Sequence, residues 1–504
     1  MGLAFAACLV AFAQSAGAWW ENGHEAITRG VVQNLQGTGD LQRFISETND
    51  QFVKIPWIEP PSQHYIDIDT TTNAFGNAGQ VSYATDFANF RAGTFNFPTT
   101  TAGATARYGS SYLNGNGAVP WTANDTMTTL TAKMQAAQTY SDWYRLLPTA
   151  GALSHYIQDM HNPMHLTKDY DGKPASGLHG KYEGGQFERG SVRRYPELIA
   201  SITPVSPTYY GAGPGFINAL FNRIPIDYDK NPAINSANVA ANSAGTGVVY
   251  YDALWENTKS FTKESFQDAA QTTASALYTA YRNAGSPVIP AATFFATPAA
   301  ENSTITRTGP VLDYSNQDFF SVRGGDSGRY GVVRFDMAQI QAQFDERYGE
   351  GGWMLDNVAL AVESSESASG SLKVFFSQDD TTNIQAGSAL RYLDNGAPLG
   401  INIASSTPLL QFAVSTLPLY TVTRFDSNTP QVFNWTALQS DILNGDEITL
   451  VFAGGTSSSF AYYFGGSGLS LEVSARAVPE PSAPAMLALA AAALMRRSSR
   501  NSSP

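Results

Sequence analysis

Ser154-His155-Tyr156-Ile157-Gln158-Asp159-Met160-His161-Asn162-Pro163-Met164-His165, with His179-Gly180-Lys181-Tyr182-Glu183 close behind it, is the stretch that decides how this chain reads. His155 and Asp159 stand four residues apart, and so do His179 and Glu183. On helices each pair projects from one face and can grip one ion. Asn162-Pro163 predicts the end of the first helix, because proline pushes the residue before it out of the α region. The chain can then turn and bring His165 back toward the same place.

Toward the amino terminus, an apolar run from Gly2 to Phe12 leads into Ala16-Gly17-Ala18, a small-x-small cleavage pattern. Residues 1–18 therefore read as a signal peptide, and the mature chain is expected to begin at Trp19. The run has no basic segment ahead of it, which suggests a start codon further upstream. A free α-amine titrates near ~8, so in its neutral form it can join its own carbonyl oxygen in a five-membered chelate. His24 follows at the start of an apolar-periodic helix (Ala26, Ile27, Val31, Val32, Leu35). Asp50 and His64 stand between these blocks, His64 opening His64-Tyr65-Ile66-Asp67. Glu47 and Asp69 compete with Asp50 for the carboxylate role, and Asp67 reads as a ligand-orienting group, a substrate contact or a solvated acid. A lone histidine on an apolar face is an ordinary core residue. Core packing gives no reason for so many to take these spacings beside a cleavable Trp.

Taken together these residues resemble the zinc-dependent phospholipase C and single-strand-specific nuclease superfamily, over roughly Trp19 to the helix carrying Tyr278 and Tyr281. The resemblance implies an all-α domain holding three zinc ions. It assigns Asp50, His64, His155 and Asp159 to one ion, and His165, His179 and Glu183 to a second. The amine and carbonyl of Trp19, His24 and Asp159 go to the third, so Asp159 bridges two ions. Asp50 and Asp159 become the catalytic carboxylates, with Asp50 as base if one oxygen stays free of metal. Zinc accepts imidazole and carboxylate at about 2.0–2.2 Å, and two zinc ions ~3.5–4 Å apart can clamp the attacking and leaving oxygens of a phosphate ester. His161 has no ligand role in this family, which leaves it to support a ligand or to lie at the surface.

The substrate is a phospholipid or a nucleic-acid phosphodiester. The Trp-to-His spacing, His64-Tyr65-Ile66-Asp67 and His161 are similar to the nuclease branch. Pro163-Met164-His165 and His179-Gly180-Lys181-Tyr182-Glu183 look like the phospholipase branch. Nucleases of this kind in eukaryotes carry disulfides, whereas the only cysteine here is Cys8, inside the expected signal peptide. A net charge of −13 disfavours broad binding to nucleic-acid backbones and strong attraction to anionic membranes. Phospholipase C-type hydrolysis is the expectation, with a single-strand nuclease as its rival. A non-catalytic surface-matrix protein with a structural metal site is the reading from another class.

From Trp121 to about Ala284 the pattern is helical: Leu130, Met134, Ala137, Tyr140 and Tyr144 keep helical spacing, as do Phe266, Ala270, Ala274, Leu277, Tyr278 and Tyr281. The stretch from Asp69 to Pro120, rich in Gly, Thr, Asn and aromatics, reads either as a lid carrying Phe75, Tyr83, Phe87 and Phe90 or as a surface excursion. After Gly285-Ser286-Pro287, short apolar or alternating runs such as Val358-Ala359-Leu360-Ala361-Val362 and Ile448-Thr449-Leu450-Val451-Phe452 are separated by Thr-, Ser- and Gly-rich sequence. With turns at Asp394-Asn395-Gly396 and Asn444-Gly445 they predict an antiparallel β-sandwich, jelly-roll-like. Its role is that of a spacer or of a module contacting exopolysaccharide.

Val478-Pro479-Glu480-Pro481, an apolar stretch from Ala483 to Met495, and Arg496-Arg497 resemble a PEP-CTERM sorting tail. That resemblance implies an exosortase partner and the surface or extracellular matrix of a Gram-negative bacterium. The stretch is short against the ~20 residues of a stable span, so processing fits better than a plain anchor. The expected organisation is therefore a signal peptide at 1–18, an all-α phosphodiesterase domain at 19–285, a linker at 286–305, a β-sandwich at 306–476 and a sorting tail at 477–504, in a monomer.

Overall fold

Two units make up the chain, Met1–Ala292 and Thr293–Pro504. The computed structural model describes residues 21–48, 52, 61–71, 81–172, 177–306, 319–323, 329–363, 370–378, 405–413, 422–426, 429, 431–454, 460–464 and 469–478. Trp19, Asp50, Phe75, the signal-peptide stretch and the sorting tail from Pro479 onward lie outside the described residues. Among the described residues no helix is long and apolar enough to cross a membrane.

The first unit is helical. Its principal helices are α1 (Glu21–Asn34), α2 (Val119–Ala136), α3 (Leu147–Met160), α4 (Gly215–Tyr228), α5 (Asn231–Ala244) and α6 (Val248–Asn283). The apolar stripe of α6 places Phe266, Ala270, Ala274 and Leu277 in the core, and α6 packs against α1, α2, α3 and α5. Leu130, Leu153, Ile157, Leu254 and Leu277 are wholly buried, each such side chain contributing ~1.5–3 kcal/mol. The stripe from Leu130 to Tyr144 belongs to two helices. Ala137 turns extended, and Thr139 opens the Tyr140–Tyr144 helix with a capping box to Asp142.

Where it is described, the insert between Asp69 and Pro120 is folded onto the helical unit through buried aromatics. It forms helices at Tyr83–Arg91, Thr101–Tyr108 and Ser110–Asn116. Tyr83, Tyr108 and Tyr112 are buried; Tyr83 meets the other two edge to face, a favoured aromatic arrangement, beside the Trp121 ring of α2. Asp86, itself buried, is held by Arg107 and by the Tyr108 hydroxyl at 2.6 Å. The aromatic residues are there to fill a core, and Phe97 stacks on Phe221 of α4 at 4.5 Å.

The second unit is an antiparallel β-sandwich built from β1 (Phe295–Pro298), β2 (Glu301–Thr306), β3 (Phe319–Arg323), β4 (Arg329–Asp336), β5 (Trp353–Glu363), β6 (Ser371–Ser377), β7 (Leu410–Ala413), β8 (Val422–Phe425), β9 (Glu447–Gly454), β10 (Phe460–Phe464) and β11 (Leu469–Ala477). One sheet has the order β1-β11-β5-β8; the other has β10-β3-β4-β9-β6-β7, with β2 also pairing β4. The sheets meet through β5 with β10 and β1 with β4. β1 and β2 fall inside the stretch expected to be a linker. β1 is four residues ending in proline and β2 is Thr-, Ser- and Asn-rich, so neither shows a run of apolar alternation, and pairing with β11 and β4 supplies the order instead.

Candidate metal centre

α3 carries the first ligands. Ser154, His155, Gln158 and Asp159 form two adjacent rows at helical spacing, and all four are buried. The helix ends at Met160, and Asn162 turns extended (φ −87°, ψ 113°) before the 3₁₀ turn Pro163–Leu166, as the proline predicts. Asn162 Oδ1 accepts the Met164 N–H at 3.0 Å and closes that turn. His165 thereby points back into the unit, 3 % exposed. His179 lies in a short α turn, Leu178–Gly180, that runs into a π-helical turn at Lys181–Gly185 bearing Glu183. Such turns are uncommon and recur at functional sites.

Two groups of ligand atoms result: His24, His155 and Asp159, and His165, His179 and Glu183, each set lying within 4.8 Å of itself. Around Asp159, His24 Nε2 stands 3.4 Å from Oδ1 and His155 Nε2 3.4 Å from Oδ2. These separations exceed a hydrogen bond and match the ~3.4 Å between two ligands that each sit ~2.1 Å from one tetrahedral ion. His64 approaches Oδ2 through Nδ1 at 2.8 Å. The resemblance assigns His24 and His155 to different ions bridged by Asp159; here each ring faces its own oxygen of that carboxylate, with ring centroids 4.2 Å apart.

In the second group, His165 Nδ1 lies 2.7 Å from the carbonyl oxygen of His64 and so carries the proton of a neutral ring. Its Nε2 is then bare, yet it faces Glu183 Oε1 at 3.1 Å. The same oxygen meets His179 Nε2 and accepts from Asn162 Nδ2 at 3.1 Å. Lone pairs converging on one carboxylate oxygen need a proton or a cation between them, so the residues fit a metal. Burial holds His24 and His179 down at about 4 and His165 well below the ordinary histidine range. Burial, followed by the Asp159 charge, pushes Glu183 well above the usual carboxylate range. Neutral imidazole is the ligating form, and a buried carboxylate without a counter-charge is costly.

His161 neither supports a described ligand by direct contact nor lies at the surface. It is wholly buried, with Nδ1 on the Ile157 carbonyl at 2.7 Å and Nε2 3.1 Å from the Thr272 hydroxyl of α6. Both ring nitrogens are satisfied by the fold. The two competitors of Asp50 are also engaged: Glu47 pairs with Arg43 at 3.1 Å, and Asp69 accepts from Thr167 Oγ1 at 2.7 Å and from the Lys168 N–H at 2.9 Å. Burial, with the Asp69 charge behind it, raises Asp67 to about 7. Sequence reasoning missed the roles of Gln158, which touches His24, and of Asn162, which touches Glu183. The available signal was a polar row, Ser154 and Gln158, beside the ligand row on an otherwise apolar helix.

No family model matches the chain, and no curated protein matches it. Among solved structures the chain is similar to an alpha-toxin of Clostridium perfringens isolated from an avian strain, at 11 % identity and a TM-score of 0.31, over 70 % of this chain and 75 % of that one. What the geometry defines by itself is a helical unit with a buried histidine–carboxylate centre, followed by a β-sandwich.

Proposed function

We propose that the helical unit is a zinc-dependent phosphodiesterase of the phospholipase C type. The observation that supports it is the juxtaposition of two buried ligand groups, one on Asp159 and one on Glu183, joined by the contact of His165 with the His64 carbonyl. A set of imidazoles and carboxylates without cysteine suits zinc. Zinc held there supplies positive charge to a phosphate ester and a nucleophilic water at neutral pH. The residues' part is to keep the imidazoles neutral, to present both oxygens of Asp159, and to hold Glu183 against three side-chain nitrogens. Trp19 and Asp50 complete the set in this reading, which brings it to three ions, and export with surface sorting belongs to the same proposal. Phospholipid is preferred over nucleic acid because Glu183 stands where the nuclease branch has Asp and Pro163-Met164-His165 resembles the phospholipase branch; a net charge of −13 disfavours nucleic-acid backbones and anionic membranes alike, which leaves a neutral or dispersed lipid.

The test is direct. Protein starting at Trp19 is analysed for metal and assayed side by side on phosphatidylcholine, single-stranded DNA and RNA. Close to three zinc ions with lipid turnover is the expected result. Faster cleavage of single strands reverses the substrate choice, and bound zinc with no turnover on any of the three makes the centre structural.

A further inference from the structure

Gln158 sits one turn along α3 from Ser154, between the ligands His155 and Asp159, and is wholly buried. Its Nε2 donates to Thr28 Oγ1 of α1 at 2.9 Å and to Ser154 Oγ at 2.7 Å. Its Oε1 faces His24 Nδ1 at 2.8 Å. We propose that Gln158 is a positioning residue of the metal centre, which fixes His24 as the Nδ1–H tautomer and so leaves the Nε2 lone pair to bind metal beside Asp159 and His155. The inference rests on the metal-centre reading above.

A primary amide has two hydrogens on one side and two lone pairs on the other. The amide is seated with its hydrogens toward two hydroxyl oxygens, one on each helix, and its carbonyl oxygen toward His24. An oxygen at hydrogen-bond distance from a ring nitrogen requires the proton on that nitrogen. A neutral imidazole has only one, so Nε2 is bare, and Nε2 is the atom that stands 3.4 Å from Asp159 Oδ1. Turned the other way, the amide would present hydrogens to Nδ1 and drive the proton to Nε2. His24 would then donate to Asp159 instead of ligating. Because Thr28 and Ser154 belong to α1 and α3, the amide also ties the helix carrying His24 to the helix carrying His155 and Asp159. Partners of this kind commonly change metal affinity ~10–100-fold.

The experiment uses the mature full chain with Gln158→Leu, which offers no acceptor, and Gln158→Glu, which keeps an oxygen facing His24. Ring ¹⁵N spectra of the metal-free protein report the tautomer of His24, and competition with a chromophoric chelator reports zinc affinity and number. The wild type should show the Nδ1–H form. Gln158→Leu should lose that preference and bind one zinc ~10–100-fold more weakly, while Gln158→Glu keeps the tautomer and binds within a few-fold of wild type. An Nε2–H tautomer in the wild type overturns the proposal, as does equal weakening by Leu and Glu or undiminished affinity in Gln158→Leu. Failure of the wild type to bind zinc at all would instead remove the metal-centre reading, and the metal-free spectrum still decides what Gln158 does to His24.

Discussion

His165 Nδ1 meets the backbone carbonyl of His64 at 2.7 Å, so a side chain of the Glu183 group is oriented by the main chain of the residue whose ring meets Asp159 Oδ2. The contact is part of a short extended pairing in which the Ile66 N–H donates to the His165 carbonyl at 2.9 Å and the Ile68 N–H to the Leu166 carbonyl at 3.3 Å. On its other edge the same segment is held by Asn116, Ala118 and Val119: the Asp67 N–H donates to the Asn116 carbonyl at 2.8 Å, the Ala118 N–H to Ser62 at 2.9 Å, and the Val119 N–H to Tyr65 at 3.3 Å. The end of the 70–120 insert and the turn after α3 thus clamp the His64 segment between them.

Gly117 is the point where that clamp is tightest. Its φ is +84°, and a Cβ there would stand 2.0 Å from the Tyr65 carbonyl oxygen, closer than any contact the backbone can absorb without moving. Gly117→Ala should cost more than ~2 kcal/mol from the left-handed conformation and the clash together, and it should displace His64. Urea unfolding and zinc analysis of the folded variant check both effects. Wild-type stability with full zinc would mean the segment is not clamped as described.

Asp159 and His161 lie on the same turn but should respond in opposite ways. Asp159 receives His24, His64 and His155 on its two oxygens, so Asp159→Asn should lower zinc content and reduce turnover by more than the ~100-fold typical of outer-shell changes. His161→Ala removes a wholly buried ring and leaves the Ile157 carbonyl and Thr272 hydroxyl without it. It should cost about 1–3 kcal/mol of stability while zinc number stays constant. Metal loss in His161→Ala comparable with that in Asp159→Asn would place His161 in the centre after all.

What the sequence showed and what it hid divide by the range of the forces involved. The i, i+4 pair His155/Asp159 and the helix stop at Asn162-Pro163 are local rules, and α3 obeys them. His179/Glu183 also converge, but through a π turn, which no spacing rule anticipates. There Gly185 packs so closely on Tyr251 that a Cβ would lie 2.6 Å from its ring. Tyr83 and Phe87 read as rim aromatics because their partners, Tyr108 with Tyr112 and Tyr228, are distant in sequence. The Gln158 contact with His24 spans 134 positions. Periodicity marks a residue as buried or exposed; it does not say which polar group meets which.

Asp67 gives a pH dependence with a definite sign. Burial and the Asp69 charge raise its carboxyl from 3.8 to about 7. Between those values the unfolded chain releases the proton while the folded chain keeps it, so stability falls as pH rises through the window and the penalty is complete above it. Each unit corresponds to ~1.4 kcal/mol, reduced here because water still reaches the group. Asp67→Asn should therefore be about 2 kcal/mol more stable than wild type near pH 8, with the advantage fading toward pH 4. Zinc-free unfolding curves at several pH values measure it, and an advantage that does not vary with pH rejects the assignment.

His24 is buried in the first turns of α1, with Nε2 directed at Asp159, and Trp19 precedes it by five residues. If cleavage after Ala18 frees that amine and the neutral amine is a ligand, any residue left ahead of Trp19 turns the amine into an amide and removes the chelate. Protein retaining a tag directly before Trp19 should bind one zinc fewer and lose most of its turnover, and proteolytic removal of the tag should restore both. The β-sandwich is the same in either form, so its unfolding transition serves as an internal control. Equal zinc content and equal turnover before and after trimming would leave a centre of at most two ions, built on Asp159 with His24, His64 and His155 and on Glu183 with His165 and His179.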